Sequence, residues 1–575
     1  MTVKLVTVHL DTEEIAEAPI DRSMVRRFVG GRGLTSKLLS DWYRSPEGSR
    51  DKTSPLFIGT GPLTGLSFPM AGRFVATAQS PLTNTIFSSS CGGRLGVYLK
   101  RHGIDVLALR GVARKPCYLS VQDGVLSING ADGIWGREKA EAKAVLRKIY
   151  GNGCSILLIG KAGENGVSYA NVENDGRFLG RGGLGALLGA MKVKAIVVGY
   201  GRGEVSGAGD QVSFLAYEFK KLLSASPVTS RGLPQFGTGV LLNRMQELGL
   251  LSTKNFREGA PPQSRRVSGE AVASELLKRK RACYLCPIAC GRETRFGEGP
   301  EYETLWSLGV NLSIFDIEQV AELNRLCNGY GLDTISTGGV LGMACELSEK
   351  GKLPFRLAYG DVATMKELIV EIAEKRSRGE LLAMGTKALG ERVGMPEAAI
   401  HVKGLELPAY DPRGAYGQGL GYATSNRGGC HLPGYLIGLE ALAIPKLVDR
   451  LGIDGKASLL ALNQNVTAFV DSLIVCRFAA FAIPGDFYSR IASAVMGERI
   501  TWEESITIGE RIWNLERLYN LRQGITEDTL PERFSNVPLA GMLKEYYEIR
   551  GWDSSGVPGP DKLKLLELST GQDGI

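Results

Sequence analysis

The chain has 575 residues, 43% apolar and 22% charged, with a formal charge of +7 spread through mixed-sign sequence. That length exceeds a single compact core, so two or three domains are expected, and the composition is that of an ordinary globular protein. No Lys/Arg block is long enough for a nucleic-acid interface and no apolar run reaches the ~18 residues of a membrane span. The acids of the N-terminal MTVKLVTVHLDTEE come too early for a secretory signal. A cytoplasmic protein is expected, whose ten cysteines are read as free thiols or ligands and not as disulfides. Glycine is in excess, 75 residues against a usual ~7%, which means many sites of positive φ or close approach.

Taken in chain order, short β-branched runs punctuated by Gly predict strands at Val3–Val8, Arg73–Ala78, Ile104–Leu109, Ile156–Ile159 and Ala195–Val198. One helix is predicted near Glu138–Ile149. A Gly-rich stretch, GYGRGEVSGAGDQ, then marks a join near 205. Beyond it the texture is helical. Asp361 reads as an N-cap for Val362, Met365, Leu368, Ile369 and Ile372 at helical spacing, and the segments 316–329, 455–480 and 501–522 read alike. The fold class is therefore α+β. A β-sheet-rich domain over 1–205 is followed by two mainly α-helical domains, 206–404 and 405–575. There is no solenoid repeat, but Asp333-Thr-Ile-Ser-Thr-Gly338 and Asp471-Ser-Leu-Ile-Val-Cys476 each place an Asp five residues before a small residue after a helical segment.

The sharpest local motif is Cys283-Tyr-Leu-Cys286-Pro-Ile-Ala-Cys290, a loop that converges three thiolates. A cubane iron–sulfur cluster needs a fourth thiolate from elsewhere. Spacing leaves Cys327, Cys345, Cys430 and Cys476 open for that role. A zinc site is the alternative, but no second C-x-x-C hook exists and the chain has only four His. Two Gly-rich stretches carry Arg: Ser88-Ser-Ser-Cys-Gly-Gly-Arg94, preceded by Gly72-Arg73, and Asp175-Gly-Arg-Phe-Leu-Gly-Arg-Gly-Gly-Leu-Gly185, leading into a predicted helix at Ala186–Met191. Glycines let backbone N–H groups approach an anion, and Arg adds bidentate bonds to phosphate. The second stretch lacks the strand expected before a dinucleotide fingerprint, so plain tight turns compete with phosphate binding.

With these parts together the chain resembles the aldehyde:ferredoxin oxidoreductase family of tungsten- or molybdenum-bis-pterin enzymes, from end to end. The blocks include Gly30-Gly-Arg-Gly-Leu34, Gly61-Pro-Leu-Thr-Gly65, Ala162-Gly-Glu-Asn165, Gly299-Pro-Glu-Tyr-Glu303, Leu407-Pro-Ala-Tyr-Asp-Pro-Arg413 and Gly421-Tyr-Ala-Thr-Ser-Asn-Arg-Gly-Gly-Cys-His431. The resemblance implies a β base for the cofactor beneath two helical domains. It implies that Asp333 and Asp471 each anchor one pterin, with Val475 beside the second. Arg73, Ser90, Gly92, Arg177, Phe178, Gly180 and Arg181 would serve the pterin phosphates and a bridging Mg²⁺, partly through backbone carbonyls. Cys476 becomes the fourth ligand of a [4Fe–4S] cluster with Cys283, Cys286 and Cys290, and Glu303 and His431 fall beside the metal. The activity implied is oxidation of an aldehyde to its acid, with electrons leaving singly to ferredoxin or an electron-transfer subunit. Two departures stand out. Glu322 is followed by Leu-Asn-Arg325, so the Glu-x-x-His iron bridge of some family dimers is not expected, though homo- and hetero-oligomers both stay open. Pro433 stands where archaeal members carry Lys. The alternatives are a family member working reductively on a carboxylic acid or an aryl-CoA and, outside catalysis, a zinc-stabilised scaffold.

Overall fold

The structure is a computed structural model that describes residues 3–48, 53–201, 203, 205 and 209–568. The expected join near 205 falls largely on residues outside that set.

The first two hundred residues form two six-stranded sheets. The first comprises β1 (Val3–His9), β2 (Glu14–Ile20), β3 (Leu56–Gly59), β4 (Phe74–Gln79), β5 (Ile86–Cys91) and β6 (Val106–Arg110), ordered β2-β1-β6-β3-β4-β5. The second comprises β7 (Cys117–Gln122), β8 (Val125–Gly130), β9 (Ser155–Ile159), β10 (Val172–Asn174), β11 (Arg177–Leu179) and β12 (Val193–Val198), ordered β11-β10-β9-β12-β7-β8. Read from its other end, the second order repeats the first strand for strand. Each sheet has one parallel pair, β1–β6 and β7–β12, in the same place. The region is a duplicated unit. The edges β5 and β11 lie against each other, so the two Gly/Arg stretches, which overlap these strands, meet.

The predicted strands all form, shifted by at most two residues at their ends, and the predicted helix runs Lys139–Tyr150. Two elements depart from expectation. Helix α1 (Gly31–Arg44) begins inside a Gly block that does not read as helical. A Cβ on Gly31 would sit 2.6 Å from the Asp471 carbonyl, and one on Gly33 would sit 2.4 Å from the Phe28 carbonyl. The glycines are spent on close approach to the chain around Asp471. The strand not expected before Gly180-Arg-Gly182 is present as β11, inside the second Gly/Arg stretch, three residues long and too short to carry a period of its own.

The rest is mainly helical. Asp316 caps α2 (Ile317–Tyr330), Asp333 caps α3 (Thr334–Glu349) and Asp361 caps α4 (Val362–Glu374), each by accepting from backbone N–H groups of the first turn. Helix α5 (Lys456–Leu473) packs along α6 (Trp502–Arg522), whose Thr501 and Glu504 form a capping box. The helix expected over 455–480 stops at Leu473, where Ile474 turns left-handed at φ 66°. Asp471 therefore sits in the last turn of a helix and Asp333 at the start of one, so the similar Asp segments are not similar locally. A core built on buried residues such as Trp306, Leu341, Tyr422 and Trp513 runs through the helices. Among the described residues no helix is long and apolar enough to cross a membrane.

Candidate active site

A cavity of about 630 Å³ opens where the edges β5 and β11 meet the cysteine loop, the start of α3, the segment around His431 and the end of α5. That volume accommodates a large cofactor. Every site residue that the family resemblance implies lines it: the basic and glycine set from Arg73 to Arg181, the anchors Asp333, Asp471 and Val475, the thiols of Cys283, Cys286, Cys290 and Cys476, and Glu303 with His431. Of the other candidate thiols Cys430 lines it too, while Cys327 and Cys345 do not.

The glycines of the floor do different work. A Cβ on Gly92 would come within 2.6 Å of the Cys283 Sγ, so Gly92 seats the cysteine loop on the sheet. A Cβ on Gly180 would meet no protein atom within 4 Å, so nothing in the fold requires glycine there except the open space above it. Gly180→Ala should therefore leave the unfolding midpoint of cofactor-free protein unchanged while lowering metal content per purified chain. A lower midpoint with full metal content would reverse that assignment.

Two Arg–Asp clasps join the sheet domain to the helices. Arg181 Nε donates to Asp333 Oδ2 at 3.0 Å, and its Nη2 donates to the Glu406 carbonyl at 2.7 Å. Ser336 donates to both Asp333 and Glu406. Burial raises the Asp333 carboxyl above its usual range, and Arg181 pulls against that rise. On the other side Arg32 Nη1 donates to Asp471 Oδ2 at 3.2 Å, while its Nε and Nη2 grip Glu516 at 2.9 and 2.7 Å. Burial would lower the Arg32 pKa, but Glu516 and Asp471 outweigh it. Each clasp thus has an arginine from the first two hundred residues, Arg32 on α1 or Arg181 just after β11, with an aspartate at a helix end and a glutamate behind. Arg32, Glu406 and Glu516 were missed. The echo between Gly30-Gly-Arg-Gly-Leu34 and Gly180-Arg-Gly-Gly-Leu-Gly185 is the signal that could have found Arg32.

Glu303 and His431 face each other. Glu303 Oε2 accepts from the Ala409 N–H at 2.9 Å, which fixes the carboxyl. Its Oε1 and the His431 Nδ1 are buried without a hydrogen-bond partner and stand 3.6 Å apart, just beyond bonding range. Burial pushes Glu303 up to about 7. Burial, with Arg181, Arg427 and Arg477 nearby, holds His431 down to about 3, so its imidazole is neutral at physiological pH. Tyr410 and Tyr435 pack edge-on or tilted against the His431 ring at 5.3 and 5.8 Å and pair their hydroxyls at 3.2 Å. Glu301, two residues earlier, is spent elsewhere, accepting from Thr238 and pairing with Arg177.

The thiols share one wall. All ten cysteines are free, and Cys283, Cys286, Cys290 and Cys476 are the half-buried ones. The left-handed turn at Ile474 and a bond from the Cys476 N–H to the Met70 carbonyl, 3.1 Å, bring the last thiol to the loop. Burial pushes Cys286 up to about 11, with Cys476 and Cys283 adding to it, and Cys290 is raised by burial with Cys476 and Cys286 among its neighbours. Among the described residues no three His, Cys, Asp or Glu side chains meet tightly enough to hold a single metal ion. Thiols that share a wall without meeting at a point suit a multi-iron cluster better than one zinc. A pterin-held metal also fits: Glu303 and His431, whose Oε1 and Nδ1 lack a partner, line the cavity, Gly180 leaves room, and Arg73 and Arg177 line the floor. The fit is poorer for Mg²⁺ at Ser90, whose carbonyl and hydroxyl both accept from Arg73 at 3.0 Å.

A duplicated β base with helices, and Glu303, His431 and four thiols lining one cavity, is an architecture suited to a large bound cofactor. The same fold is found in a solved structure described as the active site complex BamBC of benzoyl coenzyme A reductase, with TM-score 0.85 over 99% of this chain and 98% of that one, at 21% identity. Residues 5–200 match the family profile "Aldehyde ferredoxin oxidoreductase, N-terminal domain", and 215–568 match that for domains 2 and 3. Tungsten-containing aldehyde ferredoxin oxidoreductases of Pyrococcus furiosus and Thermococcus kodakarensis are 41% and 40% identical, with 98% of each chain covered. The chain belongs to the aldehyde ferredoxin oxidoreductase family.

Proposed function

We propose that this chain is a tungsten- or molybdenum-pterin enzyme that oxidises aldehydes, R–CHO + H₂O → R–COOH + 2e⁻ + 2H⁺. The observation that carries this is the unpaired Glu303–His431 couple opening on the same cavity as four thiols from distant parts of the sequence. When bound, a pterin-held metal would supply two-electron redox chemistry, and Cys283, Cys286, Cys290 and Cys476 would hold a [4Fe–4S] cluster that would supply one-electron transfer towards ferredoxin or a similar carrier. Asp333, Asp471 and Val475 would hold the pterins. Arg73, Arg177, Arg181 and the backbone of Ser90, Gly92, Phe178 and Gly180 would hold their phosphates with a bridging Mg²⁺, for which Arg73 must turn away from Ser90.

The chain's own groups manage substrate and protons. Glu303, poised near neutrality, takes a proton at Oε1 from water or hydrated aldehyde, and the Ala409 N–H keeps that oxygen aimed. Neutral His431 donates its single ring N–H to the substrate oxygen as negative charge grows there. Tyr410, Tyr435 and Phe481 form an aromatic wall that shields this pair from bulk water.

Anaerobically purified protein should be brown, with about four iron atoms and one tungsten or molybdenum per chain. It should reduce a viologen dye when given aldehydes. A colourless zinc protein would sink the proposal, and dye-driven reduction of an aryl-CoA without any aldehyde activity would replace it with the reductive alternative.

A further inference from the structure

The strand Leu277–Arg281 runs directly into the cysteine loop and reads Leu-Lys-Arg-Lys-Arg. It is the outer strand of a three-stranded sheet, so one of its backbone edges has no strand partner. Lys278, Arg279 and Lys280 are exposed and Arg281 is half-exposed. Two carboxylates answer these four cations. Glu293 pairs with Arg279 at 2.8 Å and with Arg281 at 3.0 Å, and Glu298 pairs with Arg281 at 2.7 Å. Lys278 and Lys280 have no ion pair among the described residues, so the strand is a net positive rim on the surface around the loop.

Inside that rim the loop turns apolar side chains outward. Ala282, Leu285 and Pro287 are exposed between and beside the thiols, and Leu285 is 48% accessible. Leu285 adopts φ +49°, a left-handed conformation that costs a leucine on the order of 1 kcal/mol or more. An exposed apolar side chain held in an unfavourable backbone conformation, directly between the cavity-lining Tyr284 and Cys286, gains nothing from the fold's own core. Its neighbour Tyr284 is held to the sheet domain by Arg101, which donates to its hydroxyl at 3.2 Å. The surface is therefore rigid, apolar at the centre and basic at the edge. That is the anatomy of a small recognition patch.

We propose that the strand Leu277–Arg281 and the Leu285 tip form the docking surface for an acidic one-electron carrier protein. This rests on the reading that the adjoining thiols hold an electron-transferring cluster. Each aldehyde oxidised releases two electrons and two protons, so two oxidised carriers dock in turn and each leaves reduced by one electron. Such an encounter must be brief, and a compact charged patch serves it better than a broad apolar one, since complementary charge raises the rate of encounter more than its lifetime.

The experiment compares the holoenzyme with a K278E/K280E variant and a K544E control, whose lysine is exposed and lies on the helix Leu539–Arg550. Aldehyde-driven reduction is followed with two acceptors, a net-negative [4Fe–4S] ferredoxin and methyl viologen. The expected result is a KM for ferredoxin raised by about ten-fold or more at low ionic strength, a gap that narrows with added salt. The viologen rate and iron content should match wild type, and K544E should behave as wild type. An unchanged ferredoxin KM in K278E/K280E overturns the proposal, as does an equal rise in K544E. If charge reversal also lowers iron content, the milder K278Q/K280Q decides: a smaller, salt-sensitive rise in KM supports the surface, and none removes it. A wild-type enzyme that cannot reduce viologen with any aldehyde sinks the functional reading itself, a different failure.

Discussion

Replacing Glu303 by Gln should lower kcat/KM for aldehyde oxidation by about 10²- to 10⁴-fold, with iron and tungsten or molybdenum content unchanged. Gln keeps the shape and the bond from the Ala409 N–H but cannot take a proton at the position of Oε1. Because burial pushes Glu303 up to about 7, the wild-type rate should climb through neutral pH as the carboxylate forms, and the variant should lack that limb. A second readout follows from linkage. A carboxyl whose folded pKa lies above its ordinary 4.5 favours folding while protonated and costs stability as pH rises from 4.5 to about 7. Over that window the cofactor-free wild type should lose about 3 kcal/mol relative to Glu303→Gln. Full turnover by the variant, or stability curves that stay parallel across the window, would remove Glu303 from the acid–base role.

Arg32→Met should cost cofactor-free protein about 3–5 kcal/mol, read from the shift of its urea midpoint. The guanidinium is buried and donates to two carboxylates. Without it Glu516, 4% exposed, keeps on its side chain, among the described residues, Ser36 at 3.1 Å and Asn426 at 3.4 Å. Most of the loss comes from that stranded charge and not from the missing attraction. Adding Glu516→Gln to Arg32→Met should therefore restore a good part of the stability. If the single variant loses less than about 1 kcal/mol, or the second substitution deepens the loss, the clasp is not what joins α1 to α6 here.

The sequence was most legible where one residue type carries both a pattern and a reason. Asp361 as a cap, the apolar, β-branched runs behind β1 and β9, and the Cys283–Cys290 loop are local signals that the fold leaves in place. What it hid is the duplication of the two sheets. Equivalent strands such as β4 and β10 share a place in the hydrogen-bonded order, while their sequences Phe-Val-Ala-Thr-Ala-Gln and Val-Glu-Asn share almost nothing. A strand needs only to fit a half-buried pleat, and many sequences do. Helix α1 was hidden for a different reason: its first turn gives up helix-forming side chains so that the chain near Asp471 can press against it. Arg32 looked like one more residue in a glycine block, because its partners lie hundreds of positions away. The paired Asp segments mislead locally, one capping a helix and the other ending one, yet both reach the same cavity.

The clasps also set an order of events during synthesis. Arg181 and Asp333 are 152 residues apart, and Arg32 and Asp471 are 439 apart. Contacts of such sequence separation close late, since loop entropy must be met before they return anything. The nascent sheet region can fold as soon as it emerges, but it then offers only half a grip, with arginines and no aspartates. A bulky group captured at that stage would be held from below alone. Until α5 and α6 are made, Asp471 and Glu516 are absent, so a fragment that stops short of them lacks the second clasp.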